Sequence, residues 1–271
     1  MIKKSIVVST SSTKFSALAF KENLKDSIKK VAALGFDGAE LAVRNPINVD
    51  LENIINLLKE NDLEAPAIGT GQAYGEEGLS FSNPDIKVRK MAVDRIKAQI
   101  VFASHFNAIV IIGLIRGKIE KNVDRAVAEK WTVDCLKECT EFAKDYHIQL
   151  TLEPVNRYES NFINTLDEGI KFIKRVGAPN LGILADTFHM NIEEISIYDS
   201  IIQAKDYITH VHFADSNRWA PGCGHLDFQK IIRTLNKIAY QGYVSAEILP
   251  FPDPDNCARL TAEHLNKIEL N

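Results

Sequence analysis

Four acidic or imidazole side chains recur near the C-terminal ends of successive apolar runs in the second half of the chain. The runs are Ile148–Glu153, Leu181–Asp186, Ile208–His212 and Val244–Glu247. A continuous apolar run of this length is typical of a strand buried on both faces of a parallel sheet. Polar groups at these strand ends do little for packing, whereas converging carboxylates and an imidazole can bind a divalent metal ion. The residues that we predict to ligate one ion are Glu153, Asp186, His212 and Glu247.

The elements that must position these residues alternate regularly along the whole chain. Four earlier strands are predicted at Ile6–Val8, Phe36–Val43, Ala65–Thr70 and Ala108–Gly113. Helices are predicted at Phe15–Leu34, Leu51–Glu60, Pro84–His105, Asn122–His147, Leu166–Arg175, Ile192–Lys205, Phe228–Ala239 and Ala258–Lys267. A glycine-containing loop, Gly71–Asn83, is expected after the third strand.

Eight strand–helix units within 271 residues predict an α/β protein of the (β/α)8 TIM-barrel class. No linker or change of composition divides the units, so residues 1–271 are expected to form a single domain. A doubly wound sheet is disfavoured because the first strand is not followed by a G-x-G-x-x-G fingerprint. In a barrel, residues at the C-terminal strand ends face one common axis, so the four predicted ligands can converge although they are far apart in sequence.

The donor set also indicates which ion the site would prefer. Three carboxylates and one imidazole form an oxygen-rich set that suits Mn²⁺ or Mg²⁺ better than a structural zinc, which favours Cys and His. The alternative, four ordinary polar residues at strand ends, is reasonable for any single position. Their recurrence on four consecutive strands favours the metal site.

Composition excludes several other classes of protein. The 32 Lys and Arg residues against 36 Asp and Glu give a net charge of −4, which disfavours a nucleic-acid-binding protein. The apolar stretch near the N-terminus is too short for a signal peptide, and no run reaches transmembrane length. The four cysteines form no C-x-x-C pair, and Cys135 and Cys139 share one helix face as small core residues do. A cytoplasmic protein that binds neither membranes nor nucleic acid is therefore expected.

Several motifs resemble the xylose-isomerase-like barrel family. They are Gly35–Leu41, Leu152–Arg157, Ala185–Asn191, His210–Asp215 and Ala246–Glu247, and the resemblance covers nearly the whole chain. Within this family the chain most resembles ketose 3-epimerases of the D-tagatose 3-epimerase type. The segment Asp215–His225 instead resembles the 5-keto-L-gluconate epimerase subgroup.

This resemblance implies roles for individual residues. Glu153, Asp186, His212 and Glu247 would ligate one divalent ion, Mn²⁺ first of all and Mg²⁺ or Co²⁺ as substitutes. The two glutamates, Glu153 and Glu247, would also act as the catalytic acid/base pair. Substrate oxygens would be bound by Glu159, His189 and Arg218. The implied substrate is a small sugar, and the implied assembly is a homodimer or homotetramer.

Two other enzymes would share much of this site. A single-metal aldose–ketose isomerase, including hydroxypyruvate isomerase, would use the same ligands and the same enediolate. An endonuclease IV-like DNA repair enzyme would need further histidines after the third and fourth strands, where the chain reads Gly69–Gln72 and Ile112–Leu114. A phosphate site is disfavoured because no Lys, Ser or Thr completes the glycine pair after strand seven, so an unphosphorylated substrate is expected.

Two further polar residues lie on the predicted strands. Glu40, near the end of the second strand, is either a contact of the substrate or of a metal ligand, or the ion-pair partner of Arg44. His210 faces the same side of its strand as His212 and is expected to lie deeper in the barrel as a buried polar residue.

Overall fold

Eight short parallel strands close into a barrel in the computed structural model, which describes residues 2–268. The strands are β1 Lys3–Ser9, β2 Gly38–Ala42, β3 Ala67–Gly69, β4 Ile109–Ile112, β5 Leu150–Leu152, β6 Leu181–Asp186, β7 Ile208–Phe213 and β8 Tyr243–Ala246. Each strand pairs with the next one in the chain, and β8 pairs with β1. The fold is therefore the predicted (β/α)8 TIM barrel.

Within residues 2–268, ten α-helices lie between the strands or follow the last one. They are α1 Leu24–Ala33, α2 Leu51–Glu60, α3 Gly71–Glu77, α4 Ile86–Ser104, α5 Arg125–Asp145, α6 Leu166–Val176, α7 Thr187–Glu193, α8 Ile197–Gln203, α9 Phe228–Lys237 and α10 Pro254–Lys267. Most begin at a side chain that caps the first turn, for example Asp124 before α5 and Thr165 before α6. None of the helices between residues 2 and 268 is both long and apolar enough to cross a membrane.

The first predicted helix begins later than its apolar pattern suggests. Asn23 caps α1, and the preceding segment is irregular, with Phe20 forming a bridge to Val8 of β1. Leu18 packs against Val7, so this segment is apolar because it covers the end of the barrel. Burial without helical periodicity explains why the prediction of a helix from Phe15 was wrong.

Two other predicted elements differ from the structure. The segment after β3, expected to be a loop, contains the short helix α3. The helix predicted over Ile192–Lys205 is shorter and begins at Ile197, because α7 ends at Glu193, Glu194 is extended and Ser196 caps α8 by accepting a hydrogen bond from the amide of Asp199. Both differences concern helices of seven residues, for which local sequence patterns are weak signals.

Strand register brings the predicted site residues to neighbouring positions. Asp186 of β6 is level with His212 of β7, and His212 is level with Ser245 of β8. Glu153 follows β5 directly, and Glu247 follows β8 directly. The four predicted ligands thus occupy the C-terminal ends of β5 to β8, and β1 to β4 form the other half of the rim.

Candidate active site

Four ligand-type side chains meet at the C-terminal end of the barrel. Glu153, Asp186, His212 and Glu247 each offer one oxygen or nitrogen atom, and these atoms lie within 4.8 Å of one another. The Nδ1 atom of His212 lies 3.6 Å from an oxygen of Glu153 and 3.7 Å from an oxygen of Asp186. The structure therefore brings together all four residues that were predicted to bind one ion.

Three of these atoms lack a hydrogen-bond partner, and this observation indicates whether an ion would fit among them. Glu153 Oε1, Asp186 Oδ2 and His212 Nδ1 are buried and make no hydrogen bond within the described chain. A buried polar atom without a partner costs free energy, and three of them aimed at one another need a shared partner. A divalent cation bound by two carboxylate oxygens and an imidazole nitrogen would satisfy all three at once.

The two oxygens of Asp186 have different partners. Its Oδ1 atom accepts hydrogen bonds from the amides of Phe188, at 2.7 Å, and His189, at 3.1 Å, and so caps α7. Its Oδ2 atom is the unpartnered one that faces His212. The helix cap fixes the orientation of the carboxylate and leaves one oxygen for a ligand.

Glu40 of β2 orients His212 of β7 through a contact across the barrel interior. Its two oxygens accept hydrogen bonds from His212 Nε2, at 3.0 Å, and from His210 Nε2, at 2.8 Å. Bonding at Nε2 leaves His212 Nδ1 for an ion, as in carboxylate–histidine–metal arrangements. The ion pair of Glu40 with Arg44 does not form, because Arg44 bonds to Glu76 at 2.5 Å. His210 is buried below His212, as predicted.

A substitution at Glu40 tests this arrangement. Glu40→Gln keeps the shape but removes the charge that holds both imidazoles, so we expect ion affinity to fall about 10- to 100-fold. Isothermal titration of the metal-free protein with Mn²⁺ measures this change. The matched control is Glu64→Gln, which alters an exposed carboxylate bound to Lys3. Equal Mn²⁺ affinity in the two variants would contradict the role of Glu40.

The three predicted substrate-binding residues form a network beside the ligand cluster. Arg218 donates to Glu159 at 2.8 Å and to Glu247 at 2.9 Å. Asn156 donates to Glu159 at 2.9 Å and lies 2.8 Å from Nδ1 of His189. Its amide group therefore links two of the predicted residues, a role that the sequence analysis did not assign to it.

The loop after β7 fixes the backbone that carries Arg218. Asp215 is fully buried and accepts hydrogen bonds from the amides of Gly222, at 2.8 Å, and Leu226, at 3.0 Å. Arg218 has a positive φ of 62°, and its carbonyl accepts a hydrogen bond from the amide of Leu249. A non-glycine residue keeps a positive φ only where surrounding contacts stabilise it, and the hydrogen bonds of Asp215 and Leu249 do so here.

The loop after β5, which carries Glu159, rests on another buried arginine. Arg116 is fully buried and donates to the carbonyls of Gly113, Phe162 and Ile163, at 3.0, 2.8 and 2.9 Å. These bonds join the loops that follow β4 and β5. Arg116 thereby supports the position of Glu159 without itself lining the pocket.

The charges of the cluster shift the acid–base behaviour of its members in the metal-free protein. Burial raises the pKa of Glu247 to about 8, although the charge of Arg218 acts in the opposite direction. Burial lowers the pKa of His212, but the negative charge of Glu40 and the nearby carboxylates of Asp186 and Glu153 outweigh it, so the pKa lies well above its usual value. The metal-free site therefore holds protons that a bound cation must displace.

These raised pKa values predict a pH-dependent stability of the metal-free protein. A group whose pKa is higher in the folded than in the unfolded state binds more protons when folded, so stability is lost as pH rises through the folded pKa. Thermal midpoints of metal-free protein should therefore fall between pH 5 and about 8, where Glu247 titrates. Glu247→Gln should show a smaller fall, and parallel profiles for the two proteins would contradict this account.

A pocket opens at the C-terminal end of the barrel beside the cluster. It is lined by the network residues and, from the other half of the rim, by Phe15, Leu18, Thr70 and Gln72. Gln72 was not predicted as a site residue because its segment was interpreted as a loop. A polar residue just after a strand end was the available signal, and it was weak without the helix that places it.

Comparisons with known proteins agree with this geometry. The sequence profile of the xylose isomerase-like TIM barrel family matches residues 28–268. A D-psicose 3-epimerase from Ruminiclostridium cellulolyticum is 32% identical over 238 residues, which are 84% of this chain and 79% of the relative. A 3-dehydro-D-guloside 4-epimerase from Escherichia coli is 27% identical, over 84% of this chain and 88% of the relative.

A solved structure extends the comparison to the fold. The D-allulose 3-epimerase from Methylomonas sp., determined in complex with D-allulose, superposes with a TM-score of 0.81 and 25% sequence identity. The match covers 98% of this chain and 98% of that chain. These relatives are isomerase-class carbohydrate epimerases, and the Methylomonas enzyme binds a small sugar.

Proposed function

The chain belongs to the xylose isomerase-like TIM barrel family, and we propose that it is a divalent-metal-dependent epimerase that inverts C3 of a free ketose or keto-sugar acid. The observation that carries the proposal is the cluster of four converging ligand atoms, of which three have no hydrogen-bond partner in the described chain. Sugar epimerases among its relatives support the same reaction class.

Glu153, Asp186, His212 and Glu247 would hold the ion. The oxygen-rich set favours Mn²⁺, with Mg²⁺ or Co²⁺ as substitutes. When bound, the ion would polarise the substrate carbonyl and stabilise the negative charge that develops on the neighbouring oxygens.

Two glutamates provide the proton transfers. Epimerisation at C3 of a 2-ketose removes the proton next to the carbonyl and returns a proton on the opposite face. Glu153 follows β5 and Glu247 follows β8, three strands further around the rim, so a substrate bound between them would present one face to each carboxylate. One glutamate acts as base, the other as acid, and their roles reverse with the opposite epimer.

Arg218, Glu159 and His189 would bind substrate oxygens near the reacting carbons. The Arg218 side chain is 11% exposed, and its Nε atom makes no hydrogen bond to the chain between residues 2 and 268. The guanidinium thus retains a donor for a substrate oxygen while its other nitrogens bond to Glu159 and Glu247.

Isotope exchange distinguishes this proposal from an aldose–ketose isomerase. The Mg²⁺-loaded protein would be incubated in D₂O with D-psicose, D-tagatose, D-fructose, L-ribulose and 5-keto-gluconates and followed by proton NMR. The expected result is deuterium at the carbon next to the carbonyl, C3 of a ketose or C4 of a 5-keto-gluconate, together with a new epimer at that carbon, and the fastest substrate identifies the subgroup. Deuterium at C1 or C2 with an aldose product would overturn the assignment in favour of an isomerase.

A further inference from the structure

Gln72 is a buried polar residue of the pocket that the ligand network leaves unused. It lies in the first turn of α3, is 2% exposed and lines the pocket on the side of β3. Its Oε1 atom is buried and has no hydrogen-bond partner among residues 2–268. A buried amide oxygen without a partner costs free energy, and this cost is removed when a ligand supplies a hydrogen-bond donor.

A chain of hydrogen bonds fixes which atom of the amide remains unpartnered. The hydroxyl of Ser9 donates its only hydrogen to the carbonyl of Ser11, at 2.6 Å. Its oxygen can therefore only accept from Gln72, whose Nε2 atom lies 2.9 Å away. A flipped amide would place two acceptors against each other, so the nitrogen must face Ser9 and the oxygen is the atom that needs a partner.

The position of Gln72 in the barrel indicates which part of a ligand it would meet. The predicted ion ligands follow β5 to β8, whereas Gln72 follows β3, across the barrel axis from β7. A ketose whose C2 and C3 oxygens lie at the ion would extend its remaining carbons toward the β3 side. Those carbons carry hydroxyl groups, which can donate a hydrogen bond to an amide oxygen.

We propose that Gln72 is a specificity-determining residue that accepts a hydrogen bond from one substrate hydroxyl beyond C3. The proposal rests on the proposed function, because it takes the reacting carbons to lie at the ion. The ligand class is a polyhydroxylated keto-sugar or keto-sugar acid whose distal hydroxyl faces β3. A site built to pair a hydroxyl discriminates strongly against the analogue that lacks it.

A second buried glutamine provides the matched control. Gln99 of α4 is fully buried, donates to the carbonyl of Val43 at 2.6 Å and also has an unpartnered Oε1 within the described chain. It does not line the pocket. Gln99→Met and Gln72→Met thus remove the same chemical group from similarly buried positions, and only Gln72 lines the pocket.

The experiment compares the metal-loaded wild type, Gln72→Met and Gln99→Met on the best ketose and its 4-deoxy, 5-deoxy and 6-deoxy analogues. We expect the wild type and Gln99→Met to prefer the parent ketose over one of the analogues by about 10- to 100-fold in kcat/KM, as for a buried hydrogen bond. In Gln72→Met this preference should fall to near one, with the other two ratios unchanged. A uniform loss on all four substrates, or unchanged ratios, would overturn the proposal.

Two further measurements keep the result interpretable. Gln72→Glu retains an acceptor oxygen, and the Ser9 hydroxyl can turn to donate to it, so this variant should keep the preference even if Gln72→Met does not fold. Calorimetric binding of the same four sugars separates recognition from turnover. Selective binding through Gln72 without C3 exchange would overturn the proposed function alone, whereas C3 exchange without this selectivity would overturn the role of Gln72 alone.

Discussion

The Glu153→Gln and Glu247→Gln enzymes are each expected to lose at least about 10³-fold in the rate of C3 epimerisation, because each lacks one of two required proton-transfer groups. Each variant should still exchange deuterium with a single epimer. The remaining carboxylate can remove the C3 proton that faces it, but no group returns a proton on the other face. The two variants should therefore act on opposite epimers.

This pair of variants is measured with both purified epimers in D₂O, after the metal content of each protein has been equalised. Equal occupancy matters because both glutamates are also predicted ligands of the ion. Exchange with the same epimer in both variants, or wild-type epimerisation in either, would contradict the assignment of one glutamate to each face. Glu193→Gln is a suitable control, since Glu193 bonds to Arg157 outside the predicted ligand set.

Removal of the divalent ion should abolish epimerisation and destabilise the barrel. Dialysis against EDTA leaves three buried ligand atoms without partners, and re-addition of Mn²⁺, Mg²⁺ or Co²⁺ should restore turnover. At 100 times the dissociation constant, a bound ion stabilises the folded state by about 2.7 kcal/mol. The thermal midpoint should then rise by about 5 °C or more.

Asp186→Asn supplies the counterpart to this experiment. The amide can still cap α7 through its oxygen, but it lacks the charge that the ion requires. We expect this variant to fold, to show little thermal shift with Mn²⁺ and to remain inactive. Full activity of the EDTA-treated wild type, with no ion found by elemental analysis, would contradict the metal-dependent mechanism.

The barrel and the convergence of the four proposed ion ligands were predictable because they depend on patterns that are local in sequence. Apolar runs ending in Glu153, Asp186, His212 and Glu247 each indicate a buried strand with a polar end. Barrel closure then converts four separate strand ends into one cluster without any further information. Residues close in sequence to these runs, such as His189, could be assigned with them.

Other parts of the site depend on contacts that no local pattern records. Glu40 bonds to two histidines that lie 170 and 172 residues further along the chain. Arg44 is much nearer to Glu40 in sequence and has the opposite charge. From sequence spacing alone, an ion pair with Arg44 was therefore as reasonable as a contact with a metal ligand. Gln72 depends on a short helix whose start has no side-chain cap, which made its segment resemble a loop.

The division of the rim has an evolutionary consequence. The proposed ion ligands lie at the C-terminal ends of β5 to β8, whereas Gln72 follows β3 and Phe15 follows β1. Mutations in the first half of the chain can therefore alter the side of the pocket formed by Phe15 and Gln72 without moving the four proposed ion ligands. Glu40 is the exception, since it spans the barrel to support His212. Diversification of substrate preference should thus concentrate in the segments after β1 and β3, and chimeras that exchange residues 70–83 among relatives should change the preferred sugar while retaining the reaction.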